Sequence, residues 1–156
     1  MDRRTSRRRV LAAAGSLAAV AVAGCTGGDA EGGEGFDTEG AFELPTDPDD
    51  DDFADRTGQD LVEVRTVQRE EDPQFLFDPP FVRVDEGATV RWENTDGVFH
   101  TVTATGSLES RSEDDEFNST IASEGDRFEW ETEETGRQDY YCSPHAGFMY
   151  GSVDVV

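Results

Sequence analysis

From Thr57 to Val156 apolar and polar residues alternate with a period of two. Val62, Val64 and Thr66 alternate with Glu63 and Arg65; Val82 and Val84 follow the break at Asp78-Pro79-Pro80; Val90 and Trp92 alternate with Arg91 and Glu93. Further on, Phe128, Trp130 and Thr132 alternate with Glu129, Glu131 and Glu133, and Met149, Gly151, Val153 and Val155 share one face of the last segment. A strand buried on one face and solvated on the other gives this pattern, and β-branched and aromatic residues fill it with turn signals at short intervals. No long helical stripe and no internal repeat is present. About seven or eight short strands in a stretch of this length fit either a two-sheet sandwich or a closed barrel. Trp92 and Trp130 then read as core residues, and the acid-rich stretch from Glu109 to Glu116 as a solvated loop.

The pattern fails before residue 57, in two different ways. Val10 to Gly24 is an Ala-rich, weakly apolar run of 15 residues, shorter than the roughly 20 needed to span a bilayer. It follows Ser6-Arg7-Arg8-Arg9-Val10-Leu11, which resembles a twin-arginine export signal. It ends in Val22-Ala23-Gly24-Cys25, which resembles the lipobox where a signal peptide is cut before a cysteine that then carries lipid. Residues 1–24 are therefore expected to be a removed signal peptide and Cys25 a lipid attachment point, which makes the chain tethered to a membrane rather than spanning it. Residues 25–56 show neither period, and between 26 and 56 carry 12 acids against one Arg. Such a stretch buries too little apolar surface to offset its ordering entropy, so a flexible acidic linker is expected there, with the folded domain at 57–156.

Charge adds the surroundings. The chain of 156 residues has 36 Asp and Glu against 13 basic residues, all of them Arg, for a net charge of -23. The acids are not confined to the linker, since residues 57–156 hold 23 of them against seven Arg, a formal charge of -16. Such a surface repels nucleic acid and anionic head groups. Its self-repulsion is screened within about 3 Å in molar salt, which points to a protein adapted to high salinity.

The scarce residues carry the chemistry. The chain has two His, two Cys and two Met. Tyr140-Tyr141-Cys142-Ser143-Pro144-His145-Ala146-Gly147-Phe148-Met149 places three potential metal donors in an eight-residue window, and Asn94-Thr95-Asp96-Gly97-Val98-Phe99-His100 supplies a second imidazole some 40 residues earlier. Two imidazoles, one thiolate and one thioether form the donor set of a blue copper site, with His₂Cys in a trigonal plane and a long axial Met. Cys142 would end one strand and Met149 begin the next, so that the loop between them wraps a single metal, with Pro144 stiffening it and Gly147 letting it turn tightly. Asn118-Ser119-Thr120 fits the N-glycosylation sequon.

These motifs make residues 57–156 resemble a cupredoxin. The lipobox, acidic tether and Tyr-Tyr-Cys-Ser-Pro-His run resemble the halocyanins, membrane-attached plastocyanin-like proteins of halophilic archaea. The resemblance implies an all-β Greek-key sandwich of about eight strands holding one type 1 copper ion at its end. His100, Cys142, His145 and axial Met149 would be its ligands. The loop departs from plastocyanin-like spacing by placing three residues, not four, between the second His and the Met. Thr101 stands where many members have a loop-locking Asn, and is a candidate to hydrogen-bond toward Ser143. Phe148 and Tyr150 are candidates, with Pro144, Ala146 and Gly147, for an uncharged contact patch around His145.

The function expected is that of an electron carrier, not an enzyme, because four protein donors leave no open position for substrate. A nitrite reductase or multicopper oxidase would need more His than one such subunit holds. The carrier is expected to be an exported monomer, lipid-anchored on the extracytoplasmic face of the cell membrane, exchanging electrons with redox proteins of a membrane chain. The alternative is an exported copper chaperone or buffer serving an oxidase; chaperone sites tend to be exposed and rich in Met or His, and the mature chain has one Met.

Overall fold

A computed structural model describes residues 43–70 and 74–156. The expected signal peptide, Cys25 and the part of the expected linker up to residue 42 lie outside the described residues. Among the described residues, ten strands form two sheets. One sheet has the order β1 (Ala54–Asp55), β4 (Phe81–Val84), β10 (Tyr150–Val155), β9 (Gly136–Tyr141), β6 (His100–Thr105), β7 (Glu113–Ile121). The other runs β3 (Phe75–Asp78), β2 (Leu61–Gln68), β5 (Thr89–Asn94), β8 (Arg127–Glu131). The fold is therefore an all-β two-sheet sandwich, as expected, and two single-turn 3-10 helices, Asp50–Asp52 and Ser143–His145, are the helical pieces among the described residues.

The alternation places the core where it is expected. Val62 and Val64 of β2, Val90 and Trp92 of β5, and Val82 and Val84 of β4 are all buried in one cluster between the sheets. Each such side chain contributes about 1.5–3 kcal/mol over an exposed one. Tyr140 and Trp92 meet edge to face at 5.1 Å, and the Tyr140 hydroxyl donates to Pro80 O at 3.0 Å. Burial pushes the Tyr140 phenol well above its usual range. β10 crosses this point at Gly151, where a Cβ would collide with Pro80 O and the Tyr140 ring.

Four expectations need correction. Residues 43–56, read as linker, pack onto the sandwich. Leu44 is buried beside Tyr141 and Tyr150, the Tyr150 hydroxyl donates to Leu44 O at 2.5 Å, the Phe53 ring packs tilted against Phe81 with centroids 5.8 Å apart, and β1 pairs in parallel with β4. The apolar residues that do this are single and widely spaced, so no period marks them. Glu113–Glu116, read as loop, begin β7. Among the described residues this strand pairs only with β6, at the sheet edge, where charged side chains face water and discourage pairing with another chain. Trp130 is half-buried rather than in the core, because β8 is also an edge strand; its indole N–H donates to Glu116 at 3.0 Å. Tyr150 is 5% exposed and so is not part of a contact patch, since the 43–53 segment covers it.

Candidate metal centre

The donors converge from two elements at one end of the sandwich. His100 opens β6, immediately after a turn whose shape is set by Asn94. The buried Asn94 side chain donates to Val98 O at 2.6 Å and Ile121 O at 2.9 Å and accepts from Gly97 N at 2.9 Å. Gly97 has φ +73°, a conformation that disfavours any side chain. Cys142 follows β9, and the chain turns back through the Ser143–His145 helix so that Cys142 N donates to Met149 O at 2.9 Å and Met149 N to His145 O at 3.0 Å. Pro144 sits in the first turn of that helix, where its missing N–H costs nothing. Gly147 does not need to be glycine: its φ lies outside the left-handed region, and a Cβ there would meet nothing.

Cys142 Sγ lies 3.6 Å from His100 Nδ1 and 3.4 Å from His145 Nδ1, and the three donor atoms are all within 4.8 Å of one another. Two donors each about 2.0–2.3 Å from one ion and roughly 110–120° apart would be about 3.3–4.0 Å from each other. The donor spacing and the donor chemistry, two imidazoles and a thiol, therefore fit a copper ion. Met149 is fully buried in the same cluster as Cys142. Burial pushes the Cys142 thiol up, while the backbone N–H groups of Thr101 and His145 pull it down. Burial, and then the nearby His100, push His145 below the usual imidazole range, which leaves its ring neutral and able to donate a lone pair at neutral pH.

Thr101 lies where the sequence suggests, and does more than fill a strand. Its N–H points at Cys142 Sγ from 3.4 Å, and its hydroxyl accepts from Ser143 N at 2.9 Å. Thr103 extends the link, with its hydroxyl 3.1 Å from that of Thr101 and 3.2 Å from that of Ser143. This hydroxyl chain joins β6 to the ligand loop.

The two imidazoles differ in exposure. His100 is sealed, whereas His145 is partly exposed, with its ring between Phe75 at 4.8 Å and Phe148 at 5.6 Å. Phe148 is half-buried and packs against the core. Sequence reasoning missed three neighbours. Phe75 lies against both imidazoles, Phe99 stands 51% exposed beside His100, and Asp96 reaches His100. Phe99 and Asp96 were visible as an apolar residue next to a ligand and an acid four positions before it; Phe75 had no signal, since only folding brings β3 to the site. Asn118 is exposed on edge strand β7.

A sandwich with a His, Cys, His cluster at one end defines a class, and the family comparison agrees: residues 62–156 match the model of copper binding proteins of the plastocyanin/azurin family, so the chain belongs to that family. Its cofactor is copper. Halocyanin from Natronomonas pharaonis is 40% identical over 165 residues, which cover 96% of this chain and 97% of that protein. Among solved structures, a purple cupredoxin from Nitrosopumilus maritimus is 30% identical with a TM-score of 0.53, covering 61% of this chain and 99% of its own. Amicyanin from Paracoccus versutus is 25% identical with a TM-score of 0.47, covering 62% and 82% respectively.

Proposed function

We propose that this chain is a membrane-tethered type 1 copper protein that carries single electrons between redox proteins of a membrane chain. The observation that carries the reading is the meeting of His100 Nδ1, Cys142 Sγ and His145 Nδ1 in one cluster, with the first two residues buried and His145 partly exposed. Met149 is the axial ligand in this reading, favoured by its burial and by its backbone bonds to both Cys142 and His145. Copper held there supplies a one-electron Cu(I)/Cu(II) couple. The protein's part is to hold the donors in one arrangement, and the Asn94 turn, the Thr101 hydroxyl and the short 3-10 helix all resist rearrangement. His145 is the route by which the electron leaves, because its ring is the more exposed of the two. Its surroundings of Ala146, Gly147, half-buried Phe148 and, beside His100, exposed Phe99 offer an uncharged contact for a transient redox partner. Acids around such a patch would steer a complementary surface.

The anchor in this reading is lipid on Cys25 after export and removal of residues 1–24, which places the domain on the extracytoplasmic face as a monomer. Among the described residues no helix is long and apolar enough to cross a membrane. The acidic surface suits a saline exterior, and Asn118 is the proposed glycan acceptor. The deciding experiment is a visible spectrum with redox titration of the copper-loaded protein. An intense blue or purple colour, reversible reduction and retention of copper against chelators are expected of a carrier. Ready surrender of copper to a chelator would instead identify a delivery protein. Cys142→Ser is expected to abolish the intense absorption, which needs charge transfer from a thiolate, whereas Met149→Leu should keep the colour and raise the potential.

A further inference from the structure

Both imidazoles turn Nδ1 toward Cys142, so His100 presents its other nitrogen, Nε2, away from the cluster. That nitrogen is not left to water or to a backbone carbonyl. Both carboxylate oxygens of Asp96 lie 3.0 Å from it, with the His100 side chain 0% and the Asp96 side chain 7% exposed. Among the described residues, His100 is the one partner of Asp96 within ion-pair distance, and the same charge also reaches His145. Its other contact is local, since Asp96 Oδ1 accepts from Val98 N at 2.8 Å. The turn around it is built to hold this geometry, through the buried Asn94 side chain and the positive φ of Gly97. A buried carboxylate without a guanidinium or ammonium beside it is costly unless something nearby becomes positive.

We propose that Asp96 is a positioning residue for the copper site, acting through His100 in two ways. It accepts the Nε2–H bond, which fixes the tautomer whose Nδ1 lone pair faces the metal. Its fixed negative charge also favours the more highly charged Cu(II) state and so lowers the reduction potential. Carboxylates bonded to the far nitrogen of a ligating imidazole orient the ring and raise its basicity, and their loss commonly weakens metal affinity about 10–100-fold. The inference rests on the copper reading of His100, Cys142 and His145, and adds that the balance between the two copper states is set partly from the turn before β6.

Three variants of the full chain separate charge from positioning. Asp96→Asn keeps an acceptor oxygen and removes the charge. Its visible spectrum is expected to stay close to that of the parent, while the Cu(II)/Cu(I) equilibrium shifts roughly tenfold or more toward Cu(I), about 59 mV per decade for one electron. Asp96→Glu restores the charge and should return the potential toward the parent value. Asp96→Ala removes the acceptor as well; nitrogen-detected NMR of the metal-free protein should then show His100 losing its single Nε2-protonated tautomer. An Asp96→Asn protein with the parent potential, or an Asp96→Ala protein whose His100 keeps one tautomer, would overturn the proposal. If the parent protein binds no copper, the copper reading fails first, and the tautomer of His100 in the metal-free parent and Asp96→Ala proteins still decides whether Asp96 positions that ring.

Discussion

The two histidines of the site sit 5.1 Å apart, ring to ring, in contrasting surroundings. His100 begins a strand held between β9 and the edge strand β7, is fully buried, and is tied on its far side to a carboxylate. His145 lies on a single helical turn, partly open to solvent, with Cys142 Sγ on its inner side and the rings of Phe75 and Phe148 flanking it. One wall therefore fixes the site and the other leaves it reachable. An electron carrier needs both, since a rigid donor set keeps rearrangement small while a partner must approach closely. The same division appears in polarity: the sealed wall carries the buried acid, and the open wall is uncharged in a chain of -23.

Breaking the sealed wall should have the largest effect. Asn94→Ala removes three hydrogen bonds and leaves the Gly97 N–H and two carbonyls to find other partners. A loss of roughly 2–4 kcal/mol is expected, read as a clear fall in the thermal midpoint together with weaker copper retention. A variant as stable as its parent would show that the turn is held by something else.

Salt sharpens the contrast between exposed and buried charge. The -16 on residues 57–156 repels itself in dilute buffer, so the midpoint should rise substantially on going to molar KCl, as calorimetry would register. The visible spectrum should not change, because burial shields the Asp96–His100 pair from screening ions. A flat midpoint across that range would remove the case for adaptation to salinity.

Testing the open wall should give an effect on rate alone. Phe148→Asp is expected to slow electron exchange several-fold, followed by NMR line broadening in mixtures of oxidised and reduced protein at high salt, with colour and potential nearly unchanged. If the variant loses copper or shifts its absorption, Phe148 is chiefly packing against the core, and the contact must be centred on Phe99. The smallest effect concerns the seam between the walls. Thr101→Val deletes the acceptor for Ser143 N and should cost about 0.5–1.5 kcal/mol, with a small spectral shift from altered bonding at Cys142 Sγ. A midpoint and spectrum both matching the parent would leave that hydroxyl without a structural role.

Much of this molecule was legible along the chain because its signals are local. Period-two alternation marked β2, β5, β8 and β10, since a strand's own residues decide which face is apolar. The window from Cys142 to Met149 declared its chemistry because a single loop carries three donors. What alternation could not mark was apolar surface supplied by isolated residues. Leu44 and Phe53 each find a partner only after β9, β10 and β4 have assembled. For the same reason Glu113–Glu116 looked like loop, because an edge strand needs no apolar face of its own to be held by the backbone of β6.

The sequence by itself therefore determined the class of fold, the donor set and the acidity of the surface, each of which depends on which residues are present and on short spacings. Only the tertiary structure decided which imidazole is sealed and which is open. Nor could spacing say that Asp96 turns inward to His100 Nε2 rather than outward to water, or that Tyr150 is covered by a segment about a hundred residues earlier. Those outcomes depend on what packs across the strands, and chain-distant groups meet only once both sheets have closed.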